Sequence, residues 1–545
     1  MALFSAGRFA ETIALAEAMT RRYPEHGFGW LALGTALQQV DRAGDAVLAL
    51  QQAARLSPND AQLHTNLGSA LQKLGRLPEA EACHRRALQL RPDFPAAFNN
   101  LANTLAEAGR FDEAETCHRR AIGLKPDYAL AHGNLGRTLQ DMGRPADAED
   151  AYRCALRLDP DDALSHYNLG CLLRTSGRPL EAAASIGAAL RIDPAYVDAH
   201  NELGLVFQDL HRVEEAEASY RAALAIRPQF AEGLSNLGNV LKDRGRTAEA
   251  EAAYRRAIEL SPGFAEAHSN LGVTLQGLGR LAEAEACYRQ ALRLKPEFVD
   301  AHANLGVTLH DCGRIAEAEQ AFRRALALDP DHVEAHSNLG RLLNDQGRLA
   351  EAEASYRRAL QLRPDHRIAF SNLLFSLNYA DHDPAACLAE ARRYGRMAGG
   401  KVTARFASWR CPPDPARLRV GFVSGDLRQH PVGHFLEAVV AHLDPGRVEL
   451  FAYATLDQAD QLTARLRPRF AAWQPLTGLA DEAAARLIHD DGIHVLIDLA
   501  GHTAHTRLPV FAWKPAPVQV SWLGYFATTG LPEIEFFLAD RHSLP

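Results

Sequence analysis

Proline recurs through the first two thirds of the chain at a fixed interval of 34 residues. The positions are Pro24, Pro58, Pro92, Pro126, Pro160, Pro194, Pro228, Pro262, Pro296, Pro330 and Pro364. Such a period is typical of repeat proteins, in which each unit is one supersecondary element that buries its apolar face by stacking on its neighbours. The spacing predicts ten full units, from 27–60 to 333–366, in a chain of 545 residues.

Each unit predicts two helices joined by a tight turn. In residues 265–298 the first helix carries Gly272, where the missing side chain lets a second helix approach closely. Gly279 forms the turn, and the second helix carries Ala284 and Ala291 at helix contacts. This pattern resembles the tetratricopeptide repeat and predicts an α-helical superhelix over residues 1–380.

Both ends of the repeat region are irregular. Residues 1–26 hold only the second helix of a unit, and residues 367–380 repeat a first helix before the pattern stops. A solenoid that begins on half a repeat exposes an apolar face, so we expect further sequence before residue 1.

One register of the first helix is asparagine in nine units, with Glu202 as the interruption. The residues are Asn66, Asn100, Asn134, Asn168, Asn236, Asn270, Asn304, Asn338 and Asn372. An amide side chain is both donor and acceptor, so this register predicts binding of the backbone of an extended acceptor polypeptide. The alternative is that duplication copied one structural asparagine.

A histidine lies two residues before many of these asparagines, at His64, His132, His166, His200, His268, His302 and His336. Other units have Trp30, Phe98 or Phe370 in the same slot, which favours a packing role over metal binding.

Composition excludes several classes of partner. The formal charge of −8 and the pI near 6.3 give no overall attraction to nucleic acid or to an anionic membrane. The sequence has no run of about 18 apolar residues, and its start lacks the form of a signal peptide. Eight cysteines without a CxxC pair indicate a reducing, cytoplasmic compartment.

After a linker at 381–417, residues 418–545 alternate strand-like and helical segments. The predicted strands are 418–424, 448–454, 494–500, 518–524 and 533–539. This alternation predicts a Rossmann-like α/β lobe with a parallel sheet, whose ligands bind at the carboxyl ends of the strands. Three loops follow strand ends: 424–434, 500–507 and 524–530.

Asp426, His430 and His434 are spaced by four residues in the first of these loops. A histidine that titrates near neutral pH suits general-base catalysis on a hydroxyl. Two alternatives stay open: the histidines form half of a metal site, or they cap a tight loop. No HExxH motif or nearby cysteine supports the metal.

Small and hydroxyl residues occupy the other two loops, namely Gly501, Thr503, Gly524, Thr528, Thr529 and Gly530. They predict close approach of a phosphate or sugar to the backbone. The chain has no GxSxG elbow or Walker loop, and GFGWLA at 27–32, which has the spacing of a dinucleotide fingerprint, lies inside a repeat.

Three segments carry a resemblance: LRVGFVSGDLRQHPVGHF, IHDDGIHVLIDLAGHTAHTR and PAPVQVSWLGYFATTG. With the repeats and their asparagines, they resemble the protein O-linked N-acetylglucosamine (O-GlcNAc) transferase family. The resemblance implies the first half of a GT-B fold. It also implies inverting transfer of GlcNAc from UDP-GlcNAc to Ser and Thr hydroxyls of proteins, without a metal or cofactor. Some plant members transfer fucose instead.

The family's HP-x-x-H motif corresponds to His430 and His434, and an upstream aspartate corresponds to Asp426. The resemblance implies that His430 is an active-site or general-base residue and that Asp426 lies near the acceptor. Phe370 stands where animal members have a further histidine.

The family's WLGYPGTTG motif, which borders the donor, corresponds to Trp522, Leu523, Gly524, Tyr525 and 528–530. Phe526 and Ala527 replace the motif's Pro and Gly, so this loop departs from the family pattern.

The region 418–545 is long enough for one lobe by ordinary domain size, whereas a GT-B enzyme has two. We therefore expect an incomplete catalytic domain, which lacks activity on its own. The alternative to a glycosyltransferase is a catalytically inactive repeat scaffold for protein–protein interaction.

Overall fold

The computed structural model describes residues 2–539. The chain divides between Gly263 and Phe264 into two compact units. The first unit contains α1 (Ala2–Ser5), α2 (Phe9–Arg22), α3 (Gly27–Gln39), α4 (Ala43–Leu56), α5 (Ala61–Lys73), α6 (Leu77–Leu90), α7 (Pro95–Glu107), α8 (Phe111–Leu124), α9 (Ala129–Asp141), α10 (Pro145–Leu158), α11 (Ala163–Thr175), α12 (Pro179–Ile192), α13 (Val197–Asp209), α14 (Val213–Ile226), α15 (Ala231–Asp243) and α16 (Thr247–Leu260).

The second unit begins with eight helices and continues into a sheet. Its helices are α17 (Ala265–Gly277), α18 (Leu281–Leu294), α19 (Val299–Asp311), α20 (Ile315–Leu328), α21 (Val333–Asp345), α22 (Leu349–Leu362), α23 (Arg367–Leu377) and α24 (Pro384–Gly399). The sheet region contains β1 (Leu418–Ser424), α25 (Pro431–His442), β2 (Val448–Ala454), α26 (Gln461–Leu466), a 3-10 turn (Arg467–Arg469), β3 (Ala472–Pro475), α27 (Asp481–Asp490), β4 (Val495–Asp498), α28 (Leu508–Phe511), β5 (Val518–Trp522) and β6 (Phe536–Leu538).

A single residue with positive φ separates the two helices of each full repeat. Gly143 is typical, with φ of 72°, a conformation that costs glycine nothing. In two units the same position is Asp41 or His211, which adopt φ of 59° and 56°. The turn therefore follows from the 34-residue pattern even where glycine is replaced.

Large rings on the second helices fill the space beside small residues of the first helices. A Cβ atom on Gly136 would lie 2.7 Å from the ring of Tyr152, which is fully buried. The same register holds Tyr220, Tyr254, Tyr288, Phe322 and Tyr356. In two units it holds His84 and His118, both buried with no hydrogen-bond partner at either ring nitrogen.

The histidines of the first helices close the turns between units. Nε2 of His64 lies 2.9 Å from the carbonyl oxygen of Pro58, six residues earlier. The same contact joins His132, His166, His200, His302 and His336 to the corresponding prolines. The indole N–H of Trp30 donates to the Pro24 carbonyl in the equivalent place. Since indole is only a donor, the equivalence indicates that the histidines donate from Nε2.

The lobe has one parallel six-stranded sheet in the order β3-β2-β1-β4-β5-β6. Strands β1 and β2 have their predicted bounds, and β4, β5 and β6 are shorter than predicted. Strand β3 was not predicted; it is a four-residue edge strand of three half-buried residues and one exposed proline. The predicted fold class, helical tetratricopeptide repeats followed by a Rossmann-like α/β lobe, is confirmed.

From β1 the chain adds β2 and β3 on one side of the sheet, and it then crosses to the other side to add β4, β5 and β6. The strand order therefore reverses between β1 and β4. Leu436 of α25 and Leu462 of α26 pack with Phe422 and Leu450 of the sheet. Right-handed crossovers place α27 on the opposite face. The reversal is the point at which doubly wound sheets bind ligands, and the predicted loops adjoin it.

Candidate functional site

The three predicted loops touch one another at the carboxyl edge of the sheet. A Cβ atom on Gly425 would lie 2.8 Å from Cβ of His505, and one on Gly501 would lie 2.1 Å from Cβ of Tyr525. The Thr455 hydroxyl, after β2, donates to the His505 carbonyl over 2.7 Å. The sheet therefore brings together loop segments that are far apart in sequence.

His430 occupies the N-cap position of α25, and Pro431 is the first helical residue. Its Nδ1 accepts a hydrogen bond from the Val432 N–H over 3.3 Å. The same nitrogen lies 3.6 Å from a carboxylate oxygen of Asp426, whose side chain is only 11% exposed. The His430 side chain is 40% exposed, so the ring can reach solvent and a substrate while resting against a buried carboxylate.

Helix α26 holds the loop that carries His430. The Asp460 carboxylate accepts the Gln429 N–H over 2.6 Å, and the Thr463 hydroxyl donates to the Leu427 carbonyl over 2.9 Å. Hydrogen bonds from the backbone of Gln429 and Thr463 lower the pKa of Asp460. Sequence reasoning missed this support, although an aspartate directly before a helical segment is an N-cap signal.

His434 is not brought to the Asp426 carboxylate. It lies one turn further along α25, on an exposed face beside Phe435, which is 62% exposed. Gly433 between the two histidines packs against the loop, because a Cβ atom there would lie 2.2 Å from the Arg428 carbonyl oxygen. His430 is thus the histidine of this pair that the fold places at a carboxylate.

The loop after β4 is held by a buried carboxylate. Asp498 accepts hydrogen bonds from the N–H groups of Ala500 and Gly501, and burial raises its pKa to about 6. The Thr503 hydroxyl donates to the Ala500 carbonyl over 2.7 Å. Gly501 and Thr503 were predicted to bind the donor. In the structure the Gly501 N–H and the Thr503 hydroxyl form hydrogen bonds within the loop.

The loop after β5 begins with a strained turn. Leu523 has φ of 70°, and the Gly524 N–H donates to the Trp522 carbonyl over 2.9 Å, a three-residue γ-turn. A Cβ atom on Gly524 would lie 1.7 Å from the Leu499 carbonyl oxygen. Glycine is required here by the close approach of two backbones.

Tyr525 is buried, whereas Thr528 is exposed. Burial raises the pKa of Tyr525 to about 12, and its hydroxyl accepts a hydrogen bond from Asn378 over 2.8 Å. A cleft of about 610 Å³ is lined by Thr528 and Gly530 together with Arg392, Arg396 and Arg405, among others. A second cleft of about 420 Å³ lies on the other side of Thr528, between Phe526 and Phe536. Of the predicted donor-binding residues, Thr528 is the one that lines both clefts.

His502, in the loop after β4, is a buried residue that sequence reasoning did not single out. Its Nε2 lies 3.0 Å from the Thr529 carbonyl, and its Nδ1 lies 3.3 Å from the Ser371 hydroxyl. Burial lowers its pKa to about 4, so the ring is neutral at pH 7. Local spacing gave no signal because its partners are 27 and 131 residues away.

The asparagine register divides into two groups. Four members are occupied by other side chains: Asn66 accepts from Gln62, and Asn100, Asn134 and Asn236 donate to Ser69, Asn99 and Asn201. Within residues 2–539 no side-chain hydrogen bond is formed by Asn168, Asn270, Asn304, Asn338 or Asn372, all half-buried. Glu202, which interrupts the register, accepts a hydrogen bond from Arg174 over 2.6 Å.

Among residues 2–539 no group of three or more His, Cys, Asp or Glu side chains is arranged to hold a metal ion. No helix of this range combines the length and apolar character needed to cross a bilayer.

Comparison with protein families matches both parts of the chain. The description "Glycosyl transferase family 41" matches residues 399–545. Tetratricopeptide-repeat descriptions match residues 59–124, 93–161, 134–196, 167–231, 238–279, 270–326 and 311–367.

The relatives are named as peptide glycosyltransferases. A probable UDP-N-acetylglucosamine–peptide N-acetylglucosaminyltransferase, SPINDLY of Hordeum vulgare, is 34% identical over 172 residues, 31% of this chain and 18% of the barley protein. A UDP-N-acetylglucosamine–peptide N-acetylglucosaminyltransferase of Caenorhabditis elegans is 35% identical over 131 residues, 24% of this chain and 11% of its own. A solved structure of a mutant Thermobaculum terrenum O-GlcNAc transferase is 34% identical, with a TM-score of 0.48, and covers 54% of this chain and 55% of its own.

The fold and the loops at its sheet edge define a repeat protein with a glycosyltransferase-type α/β lobe. Residues 399–545 match the description of glycosyl transferase family 41, and the predicted resemblance to the O-GlcNAc transferase family is confirmed. The matches span about a fifth or less of the length of the curated relatives.

Proposed function

We propose that the chain is a protein O-GlcNAc transferase-like glycosyltransferase, which transfers GlcNAc from UDP-GlcNAc to Ser and Thr hydroxyls of proteins. The observation that carries the proposal is a family 41 region that follows repeats with unoccupied asparagine amides. We place this activity in the cytoplasm, with no resident cofactor and no nucleic-acid or membrane partner.

The repeats bind the acceptor polypeptide in this proposal. In the second unit each first helix contacts the next, α17 with α19, α19 with α21 and α21 with α23, so their asparagines form a row. An amide that donates and accepts pairs with the backbone of an extended chain and is indifferent to its side chains. The acceptor is therefore recognised by its extended conformation.

His430 is the general base in the transfer step. The acceptor oxygen attacks C1 of the sugar from the face opposite the diphosphate, and the C1–oxygen bond to UDP breaks with its electron pair leaving on UDP. The hydroxyl proton moves to Nε2 of His430. The Asp426 carboxylate, 3.6 Å from Nδ1, stabilises the imidazolium that results.

The donor-binding part of the proposal is tested by calorimetry on the purified chain. We expect saturable binding of UDP-GlcNAc with a Kd between about 1 µM and 1 mM, the range of ordinary substrates, and weaker binding of GDP-fucose. Thr528→Val should weaken binding roughly 10-fold by removing one polar contact in the cleft, whereas Thr477→Val, at an exposed turn, should leave it unchanged. Failure to bind any nucleotide sugar, in a chain that binds peptide, would support the scaffold.

The acceptor-binding part is tested by replacing Asn270, Asn304 and Asn338 together by Ala. Each lost backbone pair should cost about 1 kcal/mol, so the triple variant should bind roughly 100-fold more weakly. The probe is a labelled peptide of Ser, Thr, Pro and Val, measured by fluorescence anisotropy beside a scrambled peptide of the same composition.

The matched control removes three amides from the second helices, by Gln290→Ala, Gln320→Ala and Gln361→Ala, and should bind as the parent does. Equal affinity of both triple variants would assign the asparagines a structural role only. Discrimination between the two peptides would contradict backbone recognition.

A further inference from the structure

His502 connects the last repeat helix to the loop after β5. The ring lies between the Ser371 hydroxyl of α23 and the Thr529 carbonyl of the loop, and it is 1% exposed. A carbonyl only accepts, so Nε2 carries the proton and Nδ1 accepts the hydrogen of Ser371. Both nitrogens are satisfied, and each bond reaches a different element.

Aromatic rings fix the orientation of His502. Tyr394 of α24 meets it edge to face with ring centroids 4.6 Å apart, and Tyr525 of the loop does so at 5.3 Å. The imidazole is thus enclosed by side chains of α23, α24 and the loop.

A second bond joins the same two elements. Asn378, at the end of α23, donates to the hydroxyl of Tyr525 over 2.8 Å and to its own helix at Leu374. The backbone of helix α24 also packs closely against the loop, because a Cβ atom on Gly530 would lie 1.9 Å from the Ala391 carbonyl oxygen. The loop with the strained Leu523 turn is therefore held by the end of the repeats as well as by its own sheet.

We propose that His502 is a positioning residue, which together with Asn378 fixes the 523–530 loop to the last repeat helix. The asparagine at the end of the acceptor row, Asn372, is adjacent in sequence to Ser371. The hydrogen bonds of His502 to Ser371 and Thr529, and of Asn378 to Tyr525, thus form a joint between the acceptor-binding helix and the donor loop. The assignment of a donor to this loop rests on the proposed function; the joint itself does not.

The test is amide hydrogen exchange of residues 524–531 in the full chain. Ser371→Ala removes the donor to Nδ1, and the loop amides should exchange roughly 5- to 10-fold faster, the equivalent of one lost hydrogen bond. The control is Ser376→Ala, the same change at another buried site of α23, which should leave loop exchange unchanged. Ser371→Thr, which keeps the hydroxyl, should restore slow exchange.

A general loss of stability is distinguished by the thermal midpoint of tryptophan fluorescence, because four of the five tryptophans lie between residues 409 and 522. Faster loop exchange at an unchanged midpoint supports the joint. Equal loop exchange in the Ser371→Ala and Ser376→Ala variants would overturn it.

UDP-GlcNAc binding is measured on the same variants. A parent chain that binds no nucleotide sugar but shows the exchange effect would refute the proposed function and keep the joint. A chain that binds UDP-GlcNAc with no effect of Ser371→Ala on the loop would keep the function and refute the joint.

Discussion

In a version of the protein that includes both lobes, replacement of His430 by Asn is expected to slow GlcNAc transfer to a peptide by roughly 100- to 10,000-fold, the usual contribution of a general base. Asparagine has no group that takes a proton at neutral pH. Its side-chain oxygen is nevertheless a good N-cap and can accept the Val432 N–H that His430 accepts in the structure. The variant therefore removes the base and keeps the helix.

The position of the proton on His430 sharpens this expectation. When Nδ1 accepts the Val432 N–H, the neutral ring carries its proton on Nε2 and cannot accept another there. When Nδ1–H turns to Asp426, 3.6 Å away, Nε2 is free to act as the base. Catalysis thus needs the second arrangement, and Asp426→Asn should also slow transfer by favouring the first.

Three variants separate chemistry from folding. His430→Ala should lose transfer as His430→Asn does and should also destabilise the lobe by about 1 kcal/mol through the lost cap. His442→Asn, at the other end of the same helix, should change neither property. Transfer rates follow from incorporation of radiolabelled sugar, and UDP-GlcNAc affinity from calorimetry. Unchanged turnover in His430→Asn would remove this residue from the mechanism.

Periodicity allowed most of the fold to be predicted, because every repeat obeys the same local rules. One residue of left-handed conformation and one close helix contact recur every 34 residues, and the structure places both where the pattern does. The strands of the lobe were found by their apolar character. β3 was not predicted because three half-buried residues and one exposed proline at a sheet edge carry little such signal.

The site was likewise predicted only where its residues are close together in sequence. The sequence placed Asp426 and His430 in one loop at a strand end, and in the structure the two side chains lie 3.6 Å apart. The supports from Asp460 and His502 are contacts between segments distant in sequence, which spacing does not reveal. Of two predicted donor glycines, Gly501 packs closely against the Tyr525 side chain and Gly524 against the Leu499 backbone, and their role toward a donor stays a prediction.

Lowering the pH from 6.5 to 4 is expected to open the second helices α6 and α8 selectively. His84 and His118 are buried there with no hydrogen-bond partner, and burial lowers their pKa to about 4 and about 3. In the unfolded chain a histidine titrates near 6.5. The unfolded state therefore binds more protons below that pH, and the free energy of opening falls by roughly 1.4 kcal/mol per pH unit for each histidine.

The sign and the window follow from the direction of the shifts. Above pH 6.5 both states are neutral and the histidines cause no pH dependence. Each should weaken its helix by roughly 3 kcal/mol by pH 4, equivalent to about a 100-fold rise in the open population. Amide exchange of residues 77–90, divided by that of residues 145–158 at the same pH, measures the effect and cancels the intrinsic pH dependence of exchange.

Reciprocal variants test the cause. His84→Tyr should fit, because Gly68 faces it as Gly136 faces Tyr152. Gln72 also holds the register of Gln140, which accepts the hydrogen bond of the Tyr152 hydroxyl. It should abolish the acid opening of α6 and, by removing unsatisfied nitrogens, stabilise that repeat at pH 7 by about 1 kcal/mol. Tyr152→His should transfer the acid opening to α10. An exchange ratio that is independent of pH in the parent chain would contradict the prediction, because it would mean that water or a local rearrangement satisfies the His84 ring. In that case Tyr152→His would not cause acid opening of α10. Whether a repeat has histidine or tyrosine at this buried position of its second helix thus determines whether it opens in acid.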